Sequence, residues 1–308
     1  MKRKVIVRLR GGLGNQLFGY AAGRSLAIRN DAELVLDTIS DFAVDHTYQR
    51  TFALGAFNIA GRPATSGERL EPLGYWRRRA ARWVARRSMF EHRRYVVEDH
   101  RGWNPSFLEL PADGTITLDG YWQSERYFQA IEGILRSELR PSTGHGFQRE
   151  LLPSPHEGNR APEPSNASTQ PLIAVHFRWF GDHLPDSLEN IPVSYYEQAV
   201  ALCETKFSSP LYALFSDDIE LAKARLPFLP KARTIVASTP ASDPTGVREL
   251  LLMSACHHFV IANSTFSWWG AWLGCAQDKV VIAPHPRRLH SGSFWRAPEL
   301  LPPKWILL

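Results

Sequence analysis

The stretch Phe259–Leu273 constrains the fold most, because it joins an apolar run, a polar turn and a helical pattern without a break. Its first three residues are apolar and suited to a buried strand. Ser264 or Thr265 can cap the helix that follows, and a cap at this place aims free backbone N–H groups out of the turn. The pattern therefore predicts a strand–turn–helix unit of an α/β protein, with an anion site suited to a phosphate.

The same alternation of strand and helix fills both halves of the chain. An apolar run at 5–9, a helical pattern from about 16 to 29 and a second apolar run at 33–37 form a βαβ unit, which implies a parallel sheet. A second series of strands and helices starts at 172 and continues to 282. These patterns predict an α/β protein with two Rossmann-like, doubly wound domains.

A proline-rich stretch separates the two series. Residues 152–171 carry five prolines among polar residues, with little apolar surface to bury, and are the best linker candidate. A chain of 308 residues is also too long for one ordinary core and fits two domains. We therefore expect an N-terminal domain at 1–151, a linker at 152–171 and a C-terminal domain at 172–308.

Cysteine usage and hydropathy bear on the compartment. Cys203, Cys256 and Cys275 form a sparse, odd set without metal-ligand spacing, which favours a reducing compartment. No run of about 18 apolar residues is present, and the apolar run after the basic N-terminus is too short for a secretory signal. These features predict a cytoplasmic protein.

Positive charge is concentrated in one region. Ten arginines and four acidic residues lie between Arg69 and Arg101, whereas the whole chain has a formal net charge of +5. Helical spacing within 76–87 would place Trp76 and Trp83 on one face and the arginines on the rest. Such a helix suits peripheral contact with an anionic inner membrane, and the alternative is a solvated helix whose tryptophans pack into the domain. No nucleic-acid module accompanies the arginines, so we expect no nucleic-acid partner.

Four polar clusters follow predicted strands, at the places where ligands of open parallel sheets bind. The first is the Gly-rich turn Gly11–Gln16, in which the backbone can approach a ligand closely and Asn15 can donate and accept hydrogen bonds. Asp37 is placed like the ribose-binding acid of a dinucleotide site, but the third glycine of that fingerprint would fall on Leu17. A tight turn without a ligand is the other alternative.

The second and third clusters follow the first two strands of the second series. His176, Arg178 and Asp182 come after the first of them, and a planar guanidinium offers paired hydrogen bonds to a phosphate. The alternative is a structural ion pair between Arg178 and Asp182. Asp217 and Asp218 follow the next strand, where a carboxylate can bind a guanine edge or ribose hydroxyls, or can cap the next helix.

The fourth cluster, Asn263–Ser267, offers amides and hydroxyls to a phosphate. Three tryptophans on the helix that follows, Trp268, Trp269 and Trp272, are expected to pack in the core rather than to stack on a base. Together with Arg178, this cluster predicts that the second domain binds a phosphate-containing ligand.

Motifs at opposite ends of the chain resemble those of the α-1,2-fucosyltransferases. The segment 10–21 is similar to that family's opening motif, 120–128 to an internal block and 261–273 to its C-terminal signature. The His-x-Arg pattern ending at Arg178 resembles a motif of several fucosyltransferase families, whose arginine contacts the β-phosphate of the donor. Trp179 stands where the α-1,2 family usually carries a second arginine, a spacing nearer that of the protein O-fucosyltransferases.

The resemblance implies a glycosyltransferase of the GT-B type, with two Rossmann-like domains facing a central cleft. The reaction would be inverting transfer of L-fucose from GDP-β-L-fucose to a terminal galactose hydroxyl, in α-1,2 linkage, for a bacterial surface polysaccharide or lipopolysaccharide. GDP-fucose would bind mainly to the C-terminal domain, and a galactose-terminated oligosaccharide or lipid-linked glycan to the N-terminal domain. The alternatives are a fucosyltransferase of different linkage and a catalytically weak or inactive relative that binds sugar nucleotides or glycans.

The resemblance also implies roles for individual residues. Arg178, His176 and the helix N-terminus near 264–265 would stabilise the charge that grows on the β-phosphate. The chain has no Asp-x-Asp arrangement for a divalent metal, so we expect a reaction without metal or other cofactor. The expected catalytic residues are Arg178, His176 and Asp182, with Asp37 and Asp41 as further candidates for the general base. The residues expected to bind the donor are Gly12, Gly14, Asn15, Gln16, Arg178, Asp217, Asp218, Asn263, Ser264, Thr265, Phe266 and Ser267.

Overall fold

The chain forms two compact units, which a computed structural model describes over residues 3–98, 102–111, 113–140, 170–182, 186–237, 243, 245–297 and 299–308. The first unit comprises Met1–Arg140 with Ser291–Pro303, and the second comprises Pro141–His290 with Lys304–Leu308. Over the described residues, each unit carries one sheet in which all strand pairs are parallel, so the prediction of a GT-B protein with two Rossmann-like domains is confirmed. Except at its last two positions, the predicted linker 152–171 lies outside the described residues.

The first unit is built on a five-stranded sheet. Its strands are β1 (Lys4–Arg8), β2 (Glu33–Asp37), β3 (Arg62–Pro63), β4 (Tyr95–Val97) and β5 (Thr115–Asp119), and its helices are α1 (Leu13–Arg29), α2 (Gly74–Ala85) and α3 (Glu132–Glu138). The strand order is β3-β2-β1-β5-β4. From β1 the chain passes to β2 on one side, whereas β5 pairs with β1 on the other. The gap between the carboxyl ends of β1 and β5 is therefore the switch point of this sheet, where open α/β sheets bind ligands.

Helix α1 packs tightly over β1. A side chain at Gly23 would bring a Cβ within 2.1 Å of a methyl group of Val7, so only glycine fits there. The helix begins at Leu13, three residues earlier than expected, directly after Gly12 in extended conformation. Gly11 has φ of +68°, a left-handed conformation that favours glycine. The Gly-rich motif therefore makes the sharp turn from β1 into α1.

The second unit is built on a six-stranded sheet. Its strands are β6 (Leu172–Phe177), β7 (Leu211–Ser216), β8 (Thr234–Ala237), β9 (His258–Val260), β10 (Val281–Ala283) and β11 (Ile306–Leu307), and its helices are α4 (Val193–Lys206), α5 (Ile219–Arg225), α6 (Val247–Ser254) and α7 (Thr265–Leu273). The strand order is β11-β10-β9-β6-β7-β8. Here the switch point lies between β6 and β9, because the chain passes from β6 to β7 on the opposite side.

The tryptophans of α7 fill the core of the second unit. Trp268 and Trp269 are fully buried, and Trp272 is nearly so. Trp268 also lies 5.6 Å from Trp305, measured between ring centroids, so the residues just before β11 close over the helix. The expectation that these rings pack in the core is confirmed.

The tryptophans of helix α2 face solvent, and two of its arginines face the rest of the first unit. Trp76 and Trp83 are 64% and 58% exposed, so the alternative in which they pack into the domain is wrong. Arg82 instead turns toward the sheet and donates from Nε to Asp119 at 2.8 Å, and Arg78 donates to the carbonyl of Arg69 at 2.8 Å. The reason is that Arg82 brings a positive charge to the buried carboxylate of Asp119, which a neutral indole ring cannot supply. Among the described helices, none combines the length and the apolar character needed to cross a bilayer.

Candidate active site

His176, the last residue but one of β6, is a buried, neutral imidazole. Burial, together with the positive charge of Arg178, lowers the pKa of His176 to about 3. The ring lies 5.6 Å from the ring of Phe266, measured between centroids, and thus adjoins the turn between β9 and α7. His176 is therefore uncharged near neutral pH, and it can offer a hydrogen bond to a ligand but no positive charge.

Arg178 follows β6 and forms an ion pair with Asp217, at the end of the neighbouring strand β7. The guanidinium carbon also lies 5.1 Å from the centre of the Phe180 ring. The proposed structural pair between Arg178 and Asp182 is wrong, because the Asp182 side chain is 72% exposed and accepts a hydrogen bond from Trp179 Nε1 at 3.1 Å. Arg178 is thus a half-buried cation whose partner is a carboxylate at the rim of the sheet.

The two aspartates after β7 have different partners. Asp218 is the N-cap of α5, and its side chain accepts a hydrogen bond from Leu221 N at 2.9 Å. Asp217 pairs with Arg178 and does not serve as the cap. Capping therefore belongs to Asp218, and Asp217 is the carboxylate that remains for a ligand.

The turn between β9 and α7 has the expected helix N-terminus. Ser264 is the N-cap, and its hydroxyl accepts a hydrogen bond from Phe266 N at 3.3 Å. The side chains of Asn263 and Ser267 are fully buried, and the hydroxyl of Ser267 donates to the carbonyl of Ala262 at 3.3 Å. Ser264, Thr265 and Phe266 are half-buried. The groups available to a phosphate are thus the backbone N–H groups and the outer hydroxyls of the turn.

Two residues outside the predicted motifs tie these turns together. Asn190 accepts a hydrogen bond from Phe180 N at 2.7 Å and donates to the carbonyl of Gly181 at 2.5 Å, which fixes the segment after Arg178. The carbonyl of its neighbour Glu189 accepts a hydrogen bond from Asn263 Nδ2 at 2.7 Å. The loop before α4 therefore holds both turns that flank the switch point of the second unit. No local pattern signals this role, because the contacts join segments far apart along the chain.

The Gly-rich turn of the first unit is shaped mainly by Gln16. This side chain is buried, donates to the carbonyls of Gly11 and Thr51 at 2.9 Å each, and accepts from Ala53 N at 2.9 Å. The side chain of Asn15 accepts a hydrogen bond from Gln123 at 2.9 Å. The side chain of Gln16 thus forms its hydrogen bonds within the protein. The part of the turn that a ligand can reach is the backbone of the half-buried Gly12.

A cluster of arginines and aspartates occupies the switch point of the first unit, and we call it the arginine–aspartate cluster. Arg8 ends β1 and donates to Asp119, at the end of β5, at 2.9 Å. Arg8 also donates to Asp41 at 2.9 Å, and Arg10 pairs with both aspartates. Burial alone would raise the pKa of Asp119, but Arg10 and Arg8 hold it well below its usual range. Of this cluster, the sequence indicated only Asp37 and Asp41 as candidate site residues. The charged residues of the cluster are scattered between positions 8 and 119 and therefore form no local motif.

The three candidates for the general base differ in accessibility. Asp37 is buried, and its Oδ1 accepts hydrogen bonds from Ile39 N at 3.2 Å and Ser40 N at 2.9 Å. The side chain of Asp41 is 24% exposed, and that of Asp182 is 72% exposed. Asp37 is therefore a turn-forming residue, whereas the other two carboxylates reach the surface.

Comparisons with known proteins place this fold and these motifs in one family. The family model described as "Glycosyl transferase family 11" matches residues 82–291 of this chain. An α-1,2-colitosyltransferase of Escherichia coli is 28% identical over 98% of both chains. An Escherichia coli O-antigen biosynthesis glycosyltransferase, WbnK, is 27% identical over 90% of this chain and 92% of its own.

Among solved structures, the fucosyltransferase NodZ from Bradyrhizobium is similar over 88% of this chain and 92% of its own, with 17% identity and a TM-score of 0.48. An Arabidopsis thaliana FUT1 variant in complex with GDP covers 91% of this chain and 70% of its own at 12% identity, with a TM-score of 0.48. The family match spans more than half of the chain and includes the turn that carries Arg178 and the turn before α7. The chain therefore belongs to glycosyl transferase family 11, and it is a glycosyltransferase.

Proposed function

We propose that the protein transfers L-fucose from GDP-β-L-fucose, with inversion, to a hydroxyl of a terminal galactose, forming an α-1,2 linkage. The observation that carries this proposal is the placement of Arg178 and the N-terminus of α7 beside one switch point of a parallel sheet. A guanidinium and a helix N-terminus together suit a diphosphate leaving group. The name of one Escherichia coli relative, an O-antigen biosynthesis glycosyltransferase, supports a role in a bacterial surface polysaccharide or lipopolysaccharide. The proposed acceptor is a galactose-terminated oligosaccharide or lipid-linked glycan, as the resemblance of the motifs to α-1,2-fucosyltransferases implies.

In the proposed reaction an acceptor hydroxyl attacks the anomeric carbon of fucose as the bond to GDP breaks, and its proton passes to a carboxylate base, for which Asp41 and Asp182 are the candidates that reach the surface. Negative charge then grows on the β-phosphate, where Arg178 and the N–H groups near Ser264 stabilise it. His176 contributes a neutral hydrogen bond, because its lowered pKa keeps it uncharged. Asp217 releases Arg178 to the phosphate and turns to the guanine or ribose. Binding by protein cations and amides replaces a metal ion, so the reaction is proposed to need none.

A second candidate donor sugar is colitose, because one of the relatives is named as an α-1,2-colitosyltransferase. The proposed phosphate site would serve either donor equally, since both reactions leave the charge on a phosphate. The two candidates differ only in the sugar, which lies beyond the phosphate contacts. Donor choice therefore has to be measured directly.

The test incubates the protein with GDP-fucose and lactose, and separately with the corresponding colitose donor. We expect a fucosylated product whose linkage, determined by NMR, is α-1,2 to galactose. Without acceptor, the same protein should release GDP and fucose slowly. If the protein transfers colitose but not fucose, the proposed donor is wrong. If the product has another linkage, the proposed α-1,2 linkage is wrong.

We further propose that the exposed face of α2 touches an anionic membrane surface. Its large apolar side chains Tyr75, Trp76, Trp83 and Val84 are all more than half exposed. Exposed arginines flank them, and α2 itself contains no acidic residue. Aromatic rings with arginines around them are the composition of helices that lie in a membrane interface.

A further inference from the structure

The arginine–aspartate cluster of the first unit lies where a ligand of this sheet would bind. Arg8 and Asp119 close the carboxyl ends of β1 and β5, the two strands on either side of the switch point. Arg82 of α2 and the hydroxyl of Tyr95 also donate to Asp119, at 2.8 and 2.6 Å. Residues of β1, β4 and α2, together with Arg10 just before the Gly-rich turn, thus converge on one carboxylate. Parallel α/β sheets bind their ligands at this place.

The cluster is costly as a purely structural device. Arg8, Asp37 and Asp119 are each more than nine-tenths buried. Buried ion pairs often stabilise a fold no better than well-packed apolar residues of similar volume, because desolvation offsets their attraction. Arg10 Nε faces Asp41 Oδ2 at 3.2 Å and Arg8 Nε faces Asp37 Oδ2 at 3.9 Å, so these buried charges pair with one another but without well-oriented hydrogen bonds. A buried ion-pair network whose contacts are poorly oriented on the side that reaches the surface indicates binding rather than stability alone.

The charges and exposure of the cluster define the class of ligand. Its three arginines, at 8, 10 and 82, balance its three aspartates, at 37, 41 and 119. The members that reach the surface carry both signs: the side chains of Arg10, Asp41 and Arg82 are 21%, 24% and 36% exposed. The guanidinium of Arg10 lies 5.6 Å from the centre of the Tyr121 ring, which is 39% exposed. Adjacent donors, acceptors and an open aromatic ring, without net charge, match a neutral polyhydroxylated sugar.

We infer that Arg10, Asp41 and Tyr121 form the acceptor-sugar subsite, with Arg82 at its rim. This inference rests on the proposed function, because it names the acceptor contacts of the same reaction. Arg8 and Asp119 act as positioning residues that hold Arg10 and Arg82 in place. The hydroxyls of the sugar bond to the guanidinium of Arg10 and the carboxylate of Asp41, and the sugar ring lies against Tyr121.

The test uses the intact protein with lactose as the probe and has two readouts. The first is the binding of lactose alone, followed by saturation-transfer NMR. The second is the KM for lactose and the KM for GDP-fucose in the transfer assay. Arg10→Lys and Tyr121→Ala should each raise the KM for lactose about 10-fold or more and weaken the NMR signal, with the KM for GDP-fucose changed less than about two-fold.

Arg24→Lys is the matched control. Arg24 lies in the same unit, has a side chain 24% exposed and pairs with Glu138 at 2.8 Å, away from the switch point. We expect no change of the KM for lactose in this variant, and all variants should unfold cooperatively near the wild-type temperature. Asp41→Glu should recover more lactose binding than Asp41→Ala, since it restores the carboxylate.

Three outcomes would overturn the inference. One is a KM for lactose within about two-fold of wild type in both Arg10→Lys and Tyr121→Ala. Another is an equal rise of both KM values, which would assign the cluster to the donor or to the fold. The third is the absence of lactose binding by the wild-type protein in the NMR experiment. Because that experiment needs no donor, it decides the subsite separately from the proposed fucosyl transfer.

Discussion

At Arg178 two anions compete for one guanidinium: Asp217 in the structure and, in the proposed reaction, the phosphate of the donor. Arg178→Lys keeps the charge but loses the planar fork, so we expect kcat to fall by about 10²–10³-fold. The affinity for GDP should fall less, because the added charge exists only as the bond breaks. Steady-state kinetics and calorimetry of GDP binding measure the two effects.

The matched control for this prediction is Arg233→Lys. Arg233 has the same side-chain exposure, 28%, and pairs with Glu204 at 3.0 Å in the same unit. Its kcat should equal that of the wild type. Near-normal turnover of Arg178→Lys would remove Arg178 from the phosphate site.

The neighbouring aspartates lead to a second prediction at the residue scale. Asp218→Ala removes the cap of α5, so the free energy of unfolding should fall by about 1 kcal/mol while GDP binding stays unchanged. Asp217→Asn should instead weaken GDP binding by roughly 1–3 kcal/mol, the cost of a mispaired polar group that the bound nucleotide covers. Denaturant unfolding and calorimetry separate the two variants. Unchanged or tighter GDP binding by Asp217→Asn would show that Asp217 only restrains Arg178.

At the scale of elements, sequence periodicity located most strands and helices but not their contacts. The predicted strand at 33–37 matches β2, and the helix expected from about 16 to 29 ends where α1 ends, at Arg29. β3, β4 and β11, which have only two or three residues each, were missed. A helical pattern also shows which residues of α2 share a face, but not which face meets the sheet. That choice depends on Asp119, a residue far along the chain.

The orientation of α2 determines which arginines a test of membrane binding should replace. Only its outward arginines, with Arg86 and Arg87 just after it, should contact lipid, and each adds about 1 kcal/mol near an anionic surface. We expect the wild type to sediment with phosphatidylglycerol vesicles and to be released as salt rises. The variant replaces Arg77, Arg79, Arg86 and Arg87 with Gln and should lose this binding. The charge-matched control replaces Arg3, Arg29, Arg94 and Arg140, which are also exposed, and should keep it.

Arg78 and Arg82 stay unchanged in both sets, since they face the first unit. Transfer to lactose should therefore persist in the variant without outward arginines. If the wild type never binds the vesicles, the exposed rings of α2 have another partner. Binding that survives the four substitutions would assign the attraction to a different surface.

At the scale of the whole molecule, the proposed chemistry relies on protein groups alone. Activity should therefore survive prolonged treatment with EDTA and dialysis, and added Mg²⁺ or Mn²⁺ should change kcat less than about two-fold. The reason is that Arg178 and the N-terminus of α7 already supply the positive potential that a metal would add. The transfer assay with chelator measures this. Complete loss of activity, restored by either cation, would contradict the proposed phosphate site.

The two sites differ in how far the sequence can reveal them. The turns that carry Arg178 and Ser264 are local motifs, so their residue types and spacing by themselves indicate a phosphate ligand. The arginine–aspartate cluster is assembled from strand ends and from α2, and its charges become neighbours only through the order of the strands. Likewise, the roles of Asp217 and Asp218 depend on which carboxylate reaches the end of β6. Tertiary contacts of this kind leave no periodic signal in a single sequence.

The path of the chain has a consequence for its biosynthesis. Ser291–Pro303 belong to the first unit, where the carbonyl of Glu299 accepts a hydrogen bond from Ser124 at 2.9 Å and its side chain pairs with Arg126 at 3.0 Å. Residues 306–307 then add β11 to the sheet of the second unit. A ribosome translating this message must therefore decode nearly all of the second unit before it releases the segment that completes the first. The first unit reaches its final form only after Pro303 has left the exit tunnel, and the second only after β11 has.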